Sequence, residues 1–179
     1  MAKYPLNNRR NDILKLHRRA IVALAALVGF GLASPADANE WKMRPLSEQA
    51  SILPEARELQ DTDRREFLCM ALNIYHEARG ETLVGQRAVA HVILNRKKSG
   101  RFPNTICAVT WQRSQFSWTV RPVGSLMPRE QAAWERCQRI ALSVIAGEAD
   151  PTNGAIYFSS GRTAGRGRSM RIGNHVFSR

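Results

Sequence analysis

Asp63-Arg-Arg-Glu-Phe-Leu-Cys-Met-Ala-Leu-Asn-Ile-Tyr-His-Glu-Ala-Arg-Gly80 is the stretch on which the reading of this chain turns. Phe67, Met70, Ala71, Ile74 and Ala78 recur at helical spacing. Asp63 can cap the helix, with Glu66 three residues on as in a capping box, and Gly80 ends it. On this helix Glu77 falls seven positions after Met70 and three after Ile74, at the margin of the apolar face. A carboxyl group there loses water, and desolvation disfavours its charged form. A general acid working near neutral pH needs that upward shift. The competing reading is a solvated Glu77 at a helix end, or one partner in a salt bridge with Arg79 or Arg87. A negative charge near a helix C-terminus opposes the macrodipole, which favours protonation or a functional reason for the position.

Outward from this helix the chain continues in helical pattern. A second helix is expected from about Leu83 to Lys98, with Val84, Ala88, Val89, Val92 and Ile93 on one side. Phe102-Pro-Asn104 opens a short third turn through Ile106 and Val109, and Trp111 to Val123 has the aromatic and polar mixture of an irregular cleft wall. Pro128 then starts a long helix through Trp134, Cys137, Ile140 and Val144, stopped by Gly147. Asp150 to Gly154 is a turn, and Ala155-Ile-Tyr-Phe158 is a strand candidate to be paired with His175-Val-Phe177. Gly161 to Arg171, with four arginines and three glycines, is expected to be a mobile basic loop. The fold class is therefore mainly α, in the α+β sense, with a small C-terminal hairpin or strand pair.

Residues 1–38 read as a targeting segment. Lys3, Arg9, Arg10, Lys15, Arg18 and Arg19 form a basic start, Ala20 to Ala33 is apolar, and Ala36-Asp-Ala38 supplies a small-residue cleavage site. The apolar run of 14 residues is shorter than the roughly 17 to 25 needed to span a bilayer. The expectation is export to the periplasm or envelope, with only transient membrane contact. Arg18-Arg19 is compatible with twin-arginine export. Residues 39–62 then form a peripheral leader with a short helix at Ser47 to Gln60, and 63–179 form the functional domain. The chain carries 27 Lys+Arg against 15 Asp+Glu, a formal +12, which draws it to polyanions without choosing among them. Three cysteines, Cys69, Cys107 and Cys137, enter an oxidising compartment, and sequence alone permits three pairings.

His76-Glu-Ala-Arg-Gly-Glu81, Gly85-Gln-Arg-Ala-Val-Ala90, Val92-Ile-Leu-Asn-Arg96, Arg101-Phe-Pro-Asn-Thr-Ile-Cys107 and Gln115-Phe-Ser-Trp118 follow one another in order. Trp134-x-x-Cys137, Gly154-Ala-Ile-Tyr-Phe158 and Ile172-Gly-Asn-His-Val-Phe177 extend the series. Together they resemble the cell-wall hydrolase family typified by spore-cortex-lytic enzymes, over about residues 65 to 177. The resemblance implies a lysozyme-like, mainly helical domain, working without a cofactor and as a monomer on peptidoglycan strands. It implies cleavage between N-acetylmuramic acid and N-acetylglucosamine as a lytic transglycosylase, with Glu77 as the one catalytic acid. It also places Gln115, Ser117 and Trp118 in the cleft, with Gln86 and Tyr157 as further substrate-binding candidates. Trp118 could equally be core, and Phe116 is expected there. Glu81 is the possible second carboxylate, or a structural residue capping the next helix.

The sequence departs from the family pattern at Ser114 and Val120, where many relatives carry cysteines, and in the short segment Ser159-Ser-Gly161. A Cys107–Cys137 bridge is the disulfide expectation that remains. His76-Glu77 begins like a zinc-protease helix, but the second histidine of H-E-x-x-H is missing, so no metal is expected. A non-catalytic wall-binding protein and a muramidase using a second carboxylate are the alternatives. Specific nucleic-acid binding is disfavoured, because aromatics do not interleave with the basic residues.

Overall fold

The computed structural model describes residues 52–161 and 168–179, so the expectations for 1–38 and for most of the leader lie outside the described residues. The first described helix, α1, is the single turn Pro54–Arg57, with proline in its first turn. The Leu53 amide donates to Gln138 Oε1 at 2.9 Å, which ties this end of the leader to the core.

Helix α2 (Asp61–Ala78) is the axis of the domain. Its residues from Phe67 through Tyr75 are all buried, so it is covered on every side and not on one face. The covering is done by α3 (Leu83–Lys98), α4 (Ile106–Thr110) and α5 (Gln131–Ile145). The expected capping box does not form. The helix starts at Asp61, and its cap residue, Gln60, makes no side-chain cap. Asp61 and Asp63 instead lie in the first turn, where the helix dipole favours them.

Glu66 is spent elsewhere: its carboxylate accepts the amides of Ile106 at 2.6 Å and Cys107 at 3.2 Å. It thus supplements Thr105, whose hydroxyl accepts from Ala108 at the head of α4. This settles the cysteine question against the Cys107–Cys137 expectation. Cys69 is three residues beyond Glu66 on the same helical face, so the contact that anchors α4 brings Cys107 onto Cys69. These two form the disulfide, with Cα atoms 5.1 Å apart across a separation of 38 residues. Closing a loop of that length is worth about 4 kcal/mol in the chain-entropy model. Cys137 is a free, buried thiol on α5, its pKa pushed up to about 12 by burial.

Thr82 caps α3 by accepting the Gly85 amide at 3.2 Å, and Arg96, Lys97 and Lys98 occupy the last turn. On its far side α3 carries the sheet. Strand β1 (Tyr157–Ser160) pairs with β3 (His175–Ser178), as expected, in an antiparallel register that sets Phe158 opposite Phe177. A third strand, β2 (Ser169–Ile172), pairs with the other edge of β3 and comes from within the segment read as a loop. Residues 162–167 of that segment lie outside the described residues. Phe177 is fully buried against Ala88, Val89 and Val92 of α3, and this small second cluster joins sheet to helices. No helix among the described residues is long and apolar enough to cross a membrane.

Candidate active site

The last turn of α2 opens into a groove of about 590 Å³ that contains Glu77. One wall is α2 itself, through Tyr75, His76 and Arg79; the other is the 3₁₀ turn Ser117–Val120 and the segment that leads to α5. Glu77 is half-buried, and burial pushes its carboxyl above the ordinary glutamate value; the side chain of Trp118 pulls weakly the other way. The indole N–H of Trp118 completes no hydrogen bond of normal geometry, so Glu77 has little to hold its charged form. Its place at the C-terminal end of the helix works in the same direction.

Aromatic packing fixes this environment. The His76 ring stacks on Trp118 with centroids 4.5 Å apart, and Trp118 is braced from behind by Trp111 and Phe116. His76 Nε2 lies 3.0 Å from the Leu126 carbonyl, which requires a proton on that nitrogen. Burial first, then the charges of Arg79 and Arg121, lowers the imidazole pKa despite that bond. The Tyr75 hydroxyl accepts the amides of Arg129 and Glu130 at 3.0 and 3.1 Å, holding the head of α5 against α2.

Of the residues singled out from the sequence, Glu77, Ser117 and Trp118 meet in this groove. Trp118 plays both anticipated parts: its residue is buried, yet it forms a groove wall. Phe116 is core, as expected. Gln86 is corrected: it is fully buried, and its amide donates to the carbonyls of Glu81 at 2.9 Å and Arg79 at 3.4 Å, fastening the α2–α3 link from inside. Gln115 and Tyr157 are both exposed, but neither lines the groove. The Tyr157 hydroxyl instead accepts from Arg101 at 3.2 Å.

Glu81 is likewise not a groove residue. Its carboxylate accepts the Asn174 amide at 3.1 Å and the Asn174 side chain at 3.0 Å, with His175 Nδ1 3.9 Å away. Burial opposes its charge, but these donors and the neighbouring imidazole outweigh burial and lower its pKa. The cap of α3 that it was expected to supply comes from Thr82. Neither arginine proposed as a partner for Glu77 takes that role: Arg79 pairs with Glu130 at 2.9 Å, and Arg87 pairs with Glu148.

The sequence reading missed Glu130, Arg121 and Arg129 as groove residues. They lie in or beside irregular chain, where no periodicity fixes a direction. Among the described residues no group of three or more His, Cys, Asp or Glu could hold a metal ion.

Comparison with known proteins gives a family. The model described as Cell Wall Hydrolase matches residues 80–178, starting three residues beyond Glu77. The spore cortex-lytic enzyme of Halalkalibacterium halodurans is 38% identical over 114 residues, which is 60% of this chain and 33% of that protein. The chain spans well under half the length of such curated relatives. Among solved structures, the catalytic domain of the Bacillus cereus SleB protein superposes with a TM-score of 0.54 at 34% identity. It covers 64% of this chain and 89% of that one. The catalytic domain of the germination-specific lytic transglycosylase SleB from Bacillus anthracis gives 0.55 at 32% identity, covering 68% and 98%.

Proposed function

Because the chain belongs to the cell wall hydrolase family, we propose that it cleaves peptidoglycan glycan strands with Glu77 as the catalytic acid. The single observation that carries this reading is a half-buried carboxyl group, shifted upward by burial, in a groove walled by stacked aromatic rings. Protonated Glu77 donates to the oxygen between N-acetylmuramic acid and N-acetylglucosamine as oxocarbenium character develops at the sugar carbon. The resulting carboxylate then takes the proton from the sugar's own 6-hydroxyl, whose oxygen closes on that carbon. The product end is a 1,6-anhydro sugar, and Glu77 is protonated again. Trp118, buried behind the groove surface, keeps that wall apolar and rigid, and Ser117 offers a hydroxyl for an N-acetyl group.

This lytic transglycosylase course needs one carboxylate, and two features favour it. Glu81 has its oxygens occupied by Asn174, and Glu130 has its charge met by Arg79. The lytic transglycosylase named among the structural neighbours supports the same reading. The reaction uses no metal or cofactor, and export by residues 1–38 would deliver the enzyme to its substrate as a monomer.

Digestion of purified sacculi, with mass analysis of the fragments, tests the proposal. Anhydro-ended muropeptides are the expected products. Fragments heavier by one water would indicate a muramidase, for which Glu130 is a second carboxylate lining the groove. Binding without release of soluble fragments would leave only a wall-binding protein.

A further inference from the structure

The groove that holds Glu77 carries more positive charge than its chemistry needs. Arg79 is matched by Glu130, but Arg121 and Arg129 are exposed in the same groove and have no ion-pair partner among the described residues. Arginine side chains left without a carboxylate at a groove wall are poised to take one from a ligand, since the planar guanidinium donates two parallel hydrogen bonds to a carboxylate. Burial and Trp118 set the proton affinity of Glu77, whereas Arg121 acts on His76.

The chain's overall +12 speeds encounter with any anionic polymer but does not select within it. Uncompensated guanidinium groups in the groove that holds Glu77 can select. Resting on the reading of Glu77 as a peptidoglycan-cleaving acid, we propose that Arg121 and Arg129 form a carboxylate-recognising subsite. It grips the peptide stem of the strand being cut. The substrate class is therefore glycan bearing free stem carboxylates, in preference to glycan whose side chains are uncharged.

The test uses the full-length chain and two forms of the same sacculi. One is native, and in the other the carboxylates are converted to neutral amides with carbodiimide and methylamine. Wild type is expected to cleave the native form with kcat/KM roughly tenfold higher, mainly through KM. The double variant Arg121→Gln/Arg129→Gln should lose most of that preference, cleaving native sacculi at close to the wild-type rate for the amidated form. Arg113→Gln/Arg139→Gln removes the same charge outside the groove and should keep the preference. The subsite is overturned if the groove variant keeps the full wild-type preference, or if the control variant loses it equally. Folded wild type that cleaves neither form would instead bring down the reading of Glu77, and the subsite with it.

Discussion

Glu77 and Glu81 stand four residues apart, and the protein treats them in opposite ways. Glu77 sits on the last turn of α2, half-buried among aromatic rings, and burial raises its pKa. Glu81, just past the helix, is also desolvated, yet two hydrogen bonds from Asn174 and the nearby His175 lower its pKa. The lesson is that burial alone does not decide a carboxylate's role. What decides it is whether the chain supplies donors at the place where water is removed. Glu81 receives donors from the β2–β3 turn and becomes a structural pin between the sheet and the helices. Glu77 receives almost none and remains an acid.

The contrast can be broken most severely at Glu77. Glu77→Gln should lower sacculus cleavage by about a thousandfold or more, on the order expected for a lost general acid. Because ionised Glu77 opposes folding at neutral pH, the same variant should be as stable as wild type or slightly more so in urea. A large loss of stability would make Glu77 structural.

Next in size is Gly173→Ala. Gly173 has φ +59°, and a methyl group there would run into the Glu81 carboxylate. The variant should lose about 1–3 kcal/mol in chemical denaturation, with activity per folded molecule retained.

Glu81→Gln keeps one acceptor for Asn174 but loses the charge. A loss of about 1–2 kcal/mol is expected at neutral pH, with cleavage little changed. A lowered folded-state pKa means that Glu81 stabilises the fold fully above the ordinary glutamate value. Its contribution fades as pH falls through the lowered one. The variant's deficit should therefore shrink below about pH 4, and a deficit constant with pH would contradict the charge-based account.

The smallest effect is expected from Trp118→Phe. Removing the indole N–H takes away the one group that favours ionised Glu77, so the basic limb of the pH–rate profile should move upward. Movement downward would show that the ring acts on Glu77 in some other way.

That Glu77 lies in a groove was legible chiefly through the motif around it, since the helical repeat alone left a solvated or ion-paired glutamate as the competing reading and α2 proves buried on every side. The β1–β3 pairing was legible too, since both segments are short runs rich in aromatic and β-branched residues bounded by turn residues. The Cys69–Cys107 bridge was not, because it depends on the Glu66 side chain reaching from α2 to cap α4, a tertiary choice that outweighs the local capping box. Glu81's role was hidden for a related reason: its partner Asn174 is 93 residues away. Gln86 has the polarity of a substrate contact, but it is used inside the fold on the carbonyls that the helix break after Ala78 exposes. Arg121, Arg129 and Glu130 join the groove only when the segment before α5 folds across the end of α2, held there by the Tyr75 hydroxyl.

The difference between the two carboxyl groups is accessible directly by carbon-13 NMR titration of side-chain-labelled glutamate, with Glu77→Gln and Glu81→Gln samples to assign the two signals. The account predicts that Glu77 titrates above the ordinary glutamate range and Glu81 below it in the same folded protein. A Glu77 signal that titrates at or below the Glu81 signal would contradict it.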